Sequence, residues 1–194
     1  MTQPSKADLR KHLRMARQEH VAALPDGVRA LVFHRPPAPL LARISPDAII
    51  GLYAANAGEA PAASYAGFFH ELGHKVALPH FAARDAAMEF REHSDPFAHS
   101  DLEDGPFGIL QPSGSAPLLV PDVIFVPLIG FTEQLDRLGQ GGGHYDRWLA
   151  EHPGRIAVGL AWDVQRIDPP SALPAEAHDM ALDAIVTPTR IYGL

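Results

Sequence analysis

The sequence contains no cysteine. That single absence excludes disulfide frameworks, thiolate zinc sites and cysteine nucleophiles, and it fits a reducing compartment. Long apolar runs are missing too. The longest, residues 48–55 and 123–131, fall far short of the roughly 20 residues a helix needs to cross a bilayer. Residues 1–20 are basic but hold no apolar stretch of the secretory type, so they are expected to belong to the mature fold and the protein to the cytoplasm. An Arg-rich organellar presequence is opposed by Asp8 and Glu19. Positive charge is in deficit, with 16 Lys and Arg against 23 Asp and Glu and a formal net charge of -7. Broad, salt-driven nucleic-acid binding is thereby disfavoured, and any basic site must be local. Aromatic residues are few at 8%, but 46% of the 194 residues are hydrophobic, an ordinary globular composition able to bury a sizeable core. One domain spanning residues 1–194 is the expectation.

What is present alternates between two periodicities. Ser5 and Asp8 form a capping pair, after which Leu9, Leu13 and Ala16 recur at helical spacing, predicting a helix of about four turns. Lys6, Arg10, Arg14 and Arg17 stack along another side of that helix, either as a solvated basic face or as a stripe able to hold an anion. Residues 26–34 read as helix, interrupted at Pro36-Pro37 and resumed through 40–44. Short apolar runs at 47–53 and 75–79, separated by a helical stretch at 62–72 closed by Gly73, make a strand, helix, strand unit of the kind that builds parallel pairs. Residues 88–91 read as a further strand. Residues 95–121, rich in Gly, Pro, Ser and Asp, read as a long surface excursion. The strongest strand is 122–129, followed by a glycine-rich segment, a helix at 145–151, and apolar runs at 156–162 and 184–187. The economical architecture is α/β: a single three-layer domain with a mostly parallel central sheet flanked by helices, binding ligands outside the carboxyl ends of the strands.

Two segments invite a chemical reading. His70-Glu-Leu-Gly-His74 matches the H-E-x-x-H pattern of zinc proteases, which requires both imidazoles on one continuous helix. Gly73 stands where that helix should end and a strand follows at once, so His74 is expected in the turn, off the face of His70. The remaining histidines, His80, His93, His99, His144 and His178 among them, share no ligand spacing. The second segment, Arg137-Leu-Gly-Gln-Gly-Gly-Gly-His-Tyr-Asp-Arg147, frees successive backbone amides to approach an anion. It is neither a Walker loop nor a dinucleotide fingerprint. A guanidinium before the glycines, helix-start amides after them and then Tyr145-Asp146 suit a phosphate with an aromatic group and a cation nearby. Asp146 reads either as a carboxylate matched to the helix dipole or as a magnesium ligand.

This stretch and its surroundings resemble the 5-formyltetrahydrofolate cyclo-ligase family, also called 5,10-methenyltetrahydrofolate synthetase. The resemblance runs along nearly the whole chain. It is carried by Lys6 and Arg10, by Glu59 after a strand, and by Gly108-Ile-Leu-Gln-Pro112. Val126-Pro-Leu-Ile-Gly-Phe131 leads into the 137–147 segment, and Gly159-Leu160, Gln165 and His178-Asp-Met-Ala-Leu-Asp183 follow. His144, Gln140 and Ala62 depart from the family's usual residues, which bears on substrate identity more than on nucleotide binding.

The resemblance implies ATP-dependent closure of 5-formyltetrahydrofolate to 5,10-methenyltetrahydrofolate, with ATP as co-substrate, Mg2+ as cofactor, and no nucleic-acid or membrane partner. A monomer is expected. Lys6, Arg10 and Arg137 would meet the ATP phosphates, and the segment Leu138, Gly139, Gln140, Gly141, Gly142, Gly143, His144 and Tyr145 would complete the nucleotide site. Arg137 and Asp146 would be the catalytic pair, Asp146 and Asp179 would hold magnesium, and Glu59, His144 and Tyr145 would contact the reduced folate. Trp162 stays open between core and stacking surface. The competing readings are a paralogue acting on another formyl or amide substrate, a non-catalytic nucleotide or folate binder and, more remotely, a zinc hydrolase through His70 and His74.

Overall fold

The computed structural model describes residues 4–168, 173, 174, 176 and 179–193. Its first helix, α1 (Lys6–Ala23), starts at the capping box: Asp8 N–H donates to Ser5 Oγ at 3.2 Å, and the Asp8 carboxylate accepts from Ser5 N–H. It runs for 18 residues, five turns rather than about four. Two short helices follow, α2 (Asp26–Leu31) and α3 (Ala38–Leu41), parted by Pro36 and Pro37 as the missing amide donors require.

The sheet is built on β1 (Ile50–Gly51), β2 (Val76–His80), β7 (Val123–Pro127), β10 (Ile156–Leu160) and β11 (Ala184–Val186), which pair in parallel in the order β11-β10-β7-β1-β2. Antiparallel strands β12 (Ile191–Tyr192), β3 (Glu89–Glu92) and β6 (Leu118–Leu119) close its edges, making eight strands in all. Each predicted run contains a strand: β1 and β7 are trimmed at both ends by one to three residues, β10 and β11 at the carboxyl end by one or two, and β2 and β3 lie one residue later than predicted. β1 is the most trimmed, although Leu52 N–H still donates to the Ala77 carbonyl at 2.8 Å. Alternation along β7 sends Val123 and Phe125 into one apolar layer and Ile124 and Val126 into the other. The first layer receives Tyr65, Ala66 and Phe69 of α4 (Ala63–Glu71), and the second receives Trp148 and Leu149 of α5 (His144–Glu151). Both sheet faces are therefore covered, as parallel strands demand.

Residues 95–121 are more ordered than their composition suggests. β4 (Leu102–Asp104) and β5 (Leu110–Pro112) form an antiparallel hairpin, and β6 joins the main sheet beside β3. Strands of two or three residues leave too few positions for an alternation to be visible. A second small hairpin, β8 (Gly130–Phe131) with β9 (Arg137–Leu138), carries α1: Leu9 and Leu13 pack on Ile129, Leu138 and Ile167.

Chain direction places the ligand site. From β1 the chain moves to β2 on one side, whereas from β7 it moves to β10 and β11 on the other. β1 and β7 are neighbours, so the connections diverge between them and open a crevice at their carboxyl ends. Residues 52–59 leave β1 there, and the β8–β9 hairpin and glycine-rich segment leave β7 there. No helix among the described residues is long and apolar enough to cross a membrane.

Candidate active site

The glycine-rich segment enters from β9 and ends at the start of α5, and its shape depends on two glycines. Gly141 and Gly143 have φ of 108° and 65°, the left-handed region, and Gly143 is the N-cap residue of α5. A side chain at either position would be strained, and at Gly143 its Cβ would lie 2.9 Å from Arg147 Nη1. The segment walls a cavity of about 200 Å³ shared with Arg10, Arg137, Asp146, Glu176 and Asp179.

Cations and carboxylates meet across this cavity. Arg137 is buried, pairs through Nη2 with Asp146 Oδ1, and lies 5.9 Å from the centre of the Tyr145 ring. Its Nε is buried without a hydrogen-bond partner. Asp146 also accepts from Met180 N–H at 3.3 Å. Lys6 Nζ lies 2.7 Å from both Asp179 and Glu176, an ion pair between the first helix and a segment some 170 residues away. Burial opposes the Lys6 charge, but these two carboxylates outweigh it and raise its pKa. Arg10 Nε donates to the Gly139 carbonyl at 2.9 Å, so α1 holds the segment directly.

Glu59 stands beside this cavity on the β1 side. Its Oε2 accepts from Asn56 N–H at 2.8 Å, its Oε1 accepts from Gln140 Nε2 at 3.1 Å, and Arg17 Nη1 lies 3.9 Å away. The turn carrying Glu59 is pinned from below, because Trp162 Nε1 donates to the Gly58 carbonyl at 3.0 Å and Tyr53 donates to that of Ala60. Tyr145 is held as a neutral phenol: burial drives its pKa far up and Glu59 adds to this, with Arg137 opposing. Arg147 lies within hydrogen-bond reach of His144 Nδ1, at 3.1 Å, and the His144 ring packs edge-on against Phe81 and Phe107. Burial and the Arg147 charge lower its pKa, favouring the uncharged imidazole.

The 5-formyltetrahydrofolate cyclo-ligase family model matches residues 2–188. The chain belongs to this family. It is 42% identical over 78 residues to the 5-formyltetrahydrofolate cyclo-ligase of Escherichia coli K12, across 39% of this chain and 41% of that protein. With the cyclo-ligase of Mycolicibacterium smegmatis it shares 33% identity over 130 residues, 62% of this chain and 63% of that one. These matches thus span less than two thirds of either relative's length. Among solved structures it superposes on the Aquifex aeolicus 5,10-methenyltetrahydrofolate synthetase with a TM-score of 0.73 at 25% identity, covering 96% of this chain and 91% of that chain. The Mycoplasma pneumoniae synthetase, at 22% identity and a TM-score of 0.66, shares the fold.

In this cyclo-ligase family member the residues singled out from sequence gather in one crevice: Arg10, the 137–146 segment and Asp179 line the cavity, Lys6 joins it through Asp179, and Glu59 through Gln140. His178, quoted with the Asp179 turn, lies outside the described residues. Trp162 is 1% exposed, which makes it core and not a stacking surface. Arg17 leaves the basic stripe: it is buried, near Glu59 and within 3.5 Å of the Leu128 carbonyl. His70 and His74 separate as the Gly73 break requires, His74 Nδ1 resting 2.9 Å from the Ala48 carbonyl while the His70 ring meets Phe97. Glu176 was not visible in advance, since nothing local marks a loop carboxylate as a partner of Lys6. Arg14 was legible only as a charge, yet it donates to Gln140 Oε1 at 2.8 Å.

Proposed function

We propose that this protein closes 5-formyltetrahydrofolate to 5,10-methenyltetrahydrofolate at the expense of ATP. The observation that carries the reading is the crevice in which Lys6, Arg10, Arg137 and the glycine-rich segment meet three carboxylates, Asp146, Glu176 and Asp179, with Glu59 hydrogen-bonded to that segment. Family membership supports the reaction class.

The chemical difficulty is the leaving group. A formamide oxygen cannot depart as oxide, so the γ-phosphoryl group of ATP is transferred to it, breaking the bond to the β-phosphate oxygen and releasing ADP. N10 then attacks the activated carbon, its proton is lost to solvent, and the C–O bond breaks with expulsion of phosphate. The protein positions the reactants and offsets phosphate charge, as in other phosphoryl transfers. Arg137 and the amides of residues 139–143 face the triphosphate. Lys6 and Arg10 fix the segment and its counter-charges. Glu59 accepts hydrogen bonds from the pterin, Tyr145 donates as a neutral phenol, and His144 lines the same cleft.

Asp146 and Asp179 suit Mg2+, because hard carboxylate oxygens beside phosphate-facing amides are the donor set that ion takes. Both are now paired with cations, Asp146 with Arg137 and Asp179 with Lys6, so each has a counter-charge to exchange. The ion would neutralise charge on the β- and γ-phosphates.

Incubation of the purified protein with 5-formyltetrahydrofolate and Mg-ATP tests the reading. Growth of the methenyl chromophore only when ATP is present supports it. ATP hydrolysis with another formyl or amide compound would favour a paralogue, and nucleotide binding without any turnover a binding protein.

A further inference from the structure

None of the residues of Gly108-Ile-Leu-Gln-Pro112 lines the cavity walled by the glycine-rich segment. The motif instead closes the β4–β5 hairpin and delivers one buried amide to a different strand. Gln111 is buried, and its side chain takes both main-chain groups of Phe81, the first residue beyond β2. Phe81 N–H donates to Oε1 at 3.1 Å, and Nε2 donates to the Phe81 carbonyl at 3.2 Å. The pairing imitates one rung of a sheet where β2 has run out, and without it a donor and an acceptor would be left unsatisfied. The buried His80 ring fills the corner behind, its Nδ1 3.0 Å from both Gln111 Nε2 and the Pro112 carbonyl. The hairpin turn is shaped around the same amide: a Cβ on Gly105 would lie 2.7 Å from Gln111 Oε1.

What this grip fixes is the direction of the Phe81 ring. It meets His144 edge-on with centroids 4.9 Å apart, and Phe107, on the hairpin turn, at the same separation. His144 packs in turn over Gly142, where an added Cβ would lie 2.8 Å from the imidazole. A path of direct contacts therefore runs from the hairpin through Gln111, Phe81 and His144 to the glycine-rich segment. Contacts between rings weaken steeply with displacement, so His144 is only as well placed as the backbone of Phe81.

We propose that Gln111 is a positioning residue for the reaction: by holding the backbone of Phe81 it sets the place of His144 on the folate side of the crevice, without touching either substrate. The inference rests on the cyclo-ligase reading and adds to it a residue outside the site. The nucleotide side has its own support, since Arg10 holds Gly139 and Arg137 is paired with Asp146. Loss of the Gln111 amide is therefore felt by the folate and not by ATP. Leu at this position neither donates nor accepts, and so removes both bonds to Phe81 at little change in volume.

Two measurements test it. The first takes KM for 5-formyltetrahydrofolate and for Mg-ATP in Gln111→Leu and in Gly105→Ala, which pushes the same amide aside from a hairpin turn and leaves the core intact should Gln111→Leu fail to fold. The folate KM should rise about tenfold in the first and by a smaller factor in the second, with the ATP KM within about twofold of wild type in both. Phe81→Ala should raise the folate KM by itself, and adding Gln111→Leu to it should change that KM by no more than about twofold, because both act through one ring. An unchanged folate KM, equal rises in both KM values, or a full tenfold rise in the Phe81→Ala background overturns the proposal. The second measurement follows the His144 ring protons by NMR without substrate. A shift in the Gln111→Leu or Gly105→Ala protein supports the path, and unmoved resonances reject it. If the wild type closes no 5-formyltetrahydrofolate, the cyclo-ligase reading fails, and the His144 resonances then decide whether Gln111 places that ring.

Discussion

Gln140 joins the two halves of the crevice through one side chain: its Oε1 accepts from Arg14 at 2.8 Å and its Nε2 donates to Glu59 at 3.1 Å. The residue belongs to the segment proposed to bind nucleotide, yet it holds the carboxylate proposed to meet the pterin. Nucleotide bound to residues 139–143 would fix Gln140 and so hold Glu59 ready for the folate. Couplings of this kind typically change affinity by about 5–150-fold. A non-hydrolysable ATP analogue should therefore raise folate affinity several-fold in the wild type, and Gln140→Leu should reduce the enhancement to about twofold or less, measured by titration calorimetry. An enhancement of equal size in the variant would remove Gln140 from the relay.

Lys6 and Asp146 are expected to fail differently. Lys6 lies between Asp179 and Glu176 at the cavity's rim, so Lys6→Ala should release both carboxylates toward the phosphates and raise the ATP KM by about tenfold to a hundredfold, with a smaller effect on kcat. Asp146→Ala removes the carboxylate proposed to hold magnesium and the partner of Arg137, and should abolish turnover while the protein stays folded. Near-normal kcat in Asp146→Ala, with circular dichroism unchanged, would take that carboxylate out of the metal role.

Trp162 offers a test of the support beneath Glu59. Its indole N–H is committed to Gly58, its backbone N–H to Gln165 Oε1, and its ring to Phe33. Trp162→Phe leaves the half-buried Gly58 carbonyl without its indole donor and a void behind it, a loss of about 1–3 kcal/mol in urea unfolding. Because Gly58 precedes Glu59, the folate KM should rise while the ATP KM moves little. Equal changes in both would mean that the turn does not position Glu59 selectively.

The contrast between what could and could not be read ahead of the structure follows from range. Val123 to Pro127 could be read as a strand because its apolar residues are contiguous, and Gly141 and Gly143 pointed to a phosphate-facing turn because few other residues adopt their backbone angles. Ser5 and Asp8 announced the start of α1 for an equally local reason. Lys6 and Asp179, Gln140 and Glu59, or Gln111 and Phe81 are pairings made by topology. No spacing along the chain encodes them, and the departure of Gln140 from the family pattern acquires a meaning only once Arg14 and Glu59 stand on either side of it. Arg17 reads as one more surface cation until the fold buries it beside Glu59 and the Leu128 carbonyl.

The loop that presents His99 should be sensitive to acid in a defined window. Asp95 accepts hydrogen bonds from the backbone N–H groups of Ala98, at 3.1 Å, and Ser100, at 3.2 Å, and from the Ser100 hydroxyl. Led by the Ser100 hydroxyl, these donors hold its carboxyl below the usual 3.8, at about 2. A folded-state pKa below the unfolded one means that the unfolded chain binds the proton more readily. The contribution of Asp95 is therefore complete above about pH 4 and is lost as pH falls through about 2. His99 itself sits at a φ of 57°, unusual for a side chain of its size, and its N–H is held by the Asp95 carbonyl at 2.8 Å. Carbon-detected NMR should place the Asp95 carboxyl midpoint at about 2, with the Ala98 and Ser100 amide shifts following the same curve. Asp95→Ala should abolish that curve and widen the motion of His99 at neutral pH. A midpoint near 3.8 with static amide shifts would show that the capping hydrogen bonds do not form in solution.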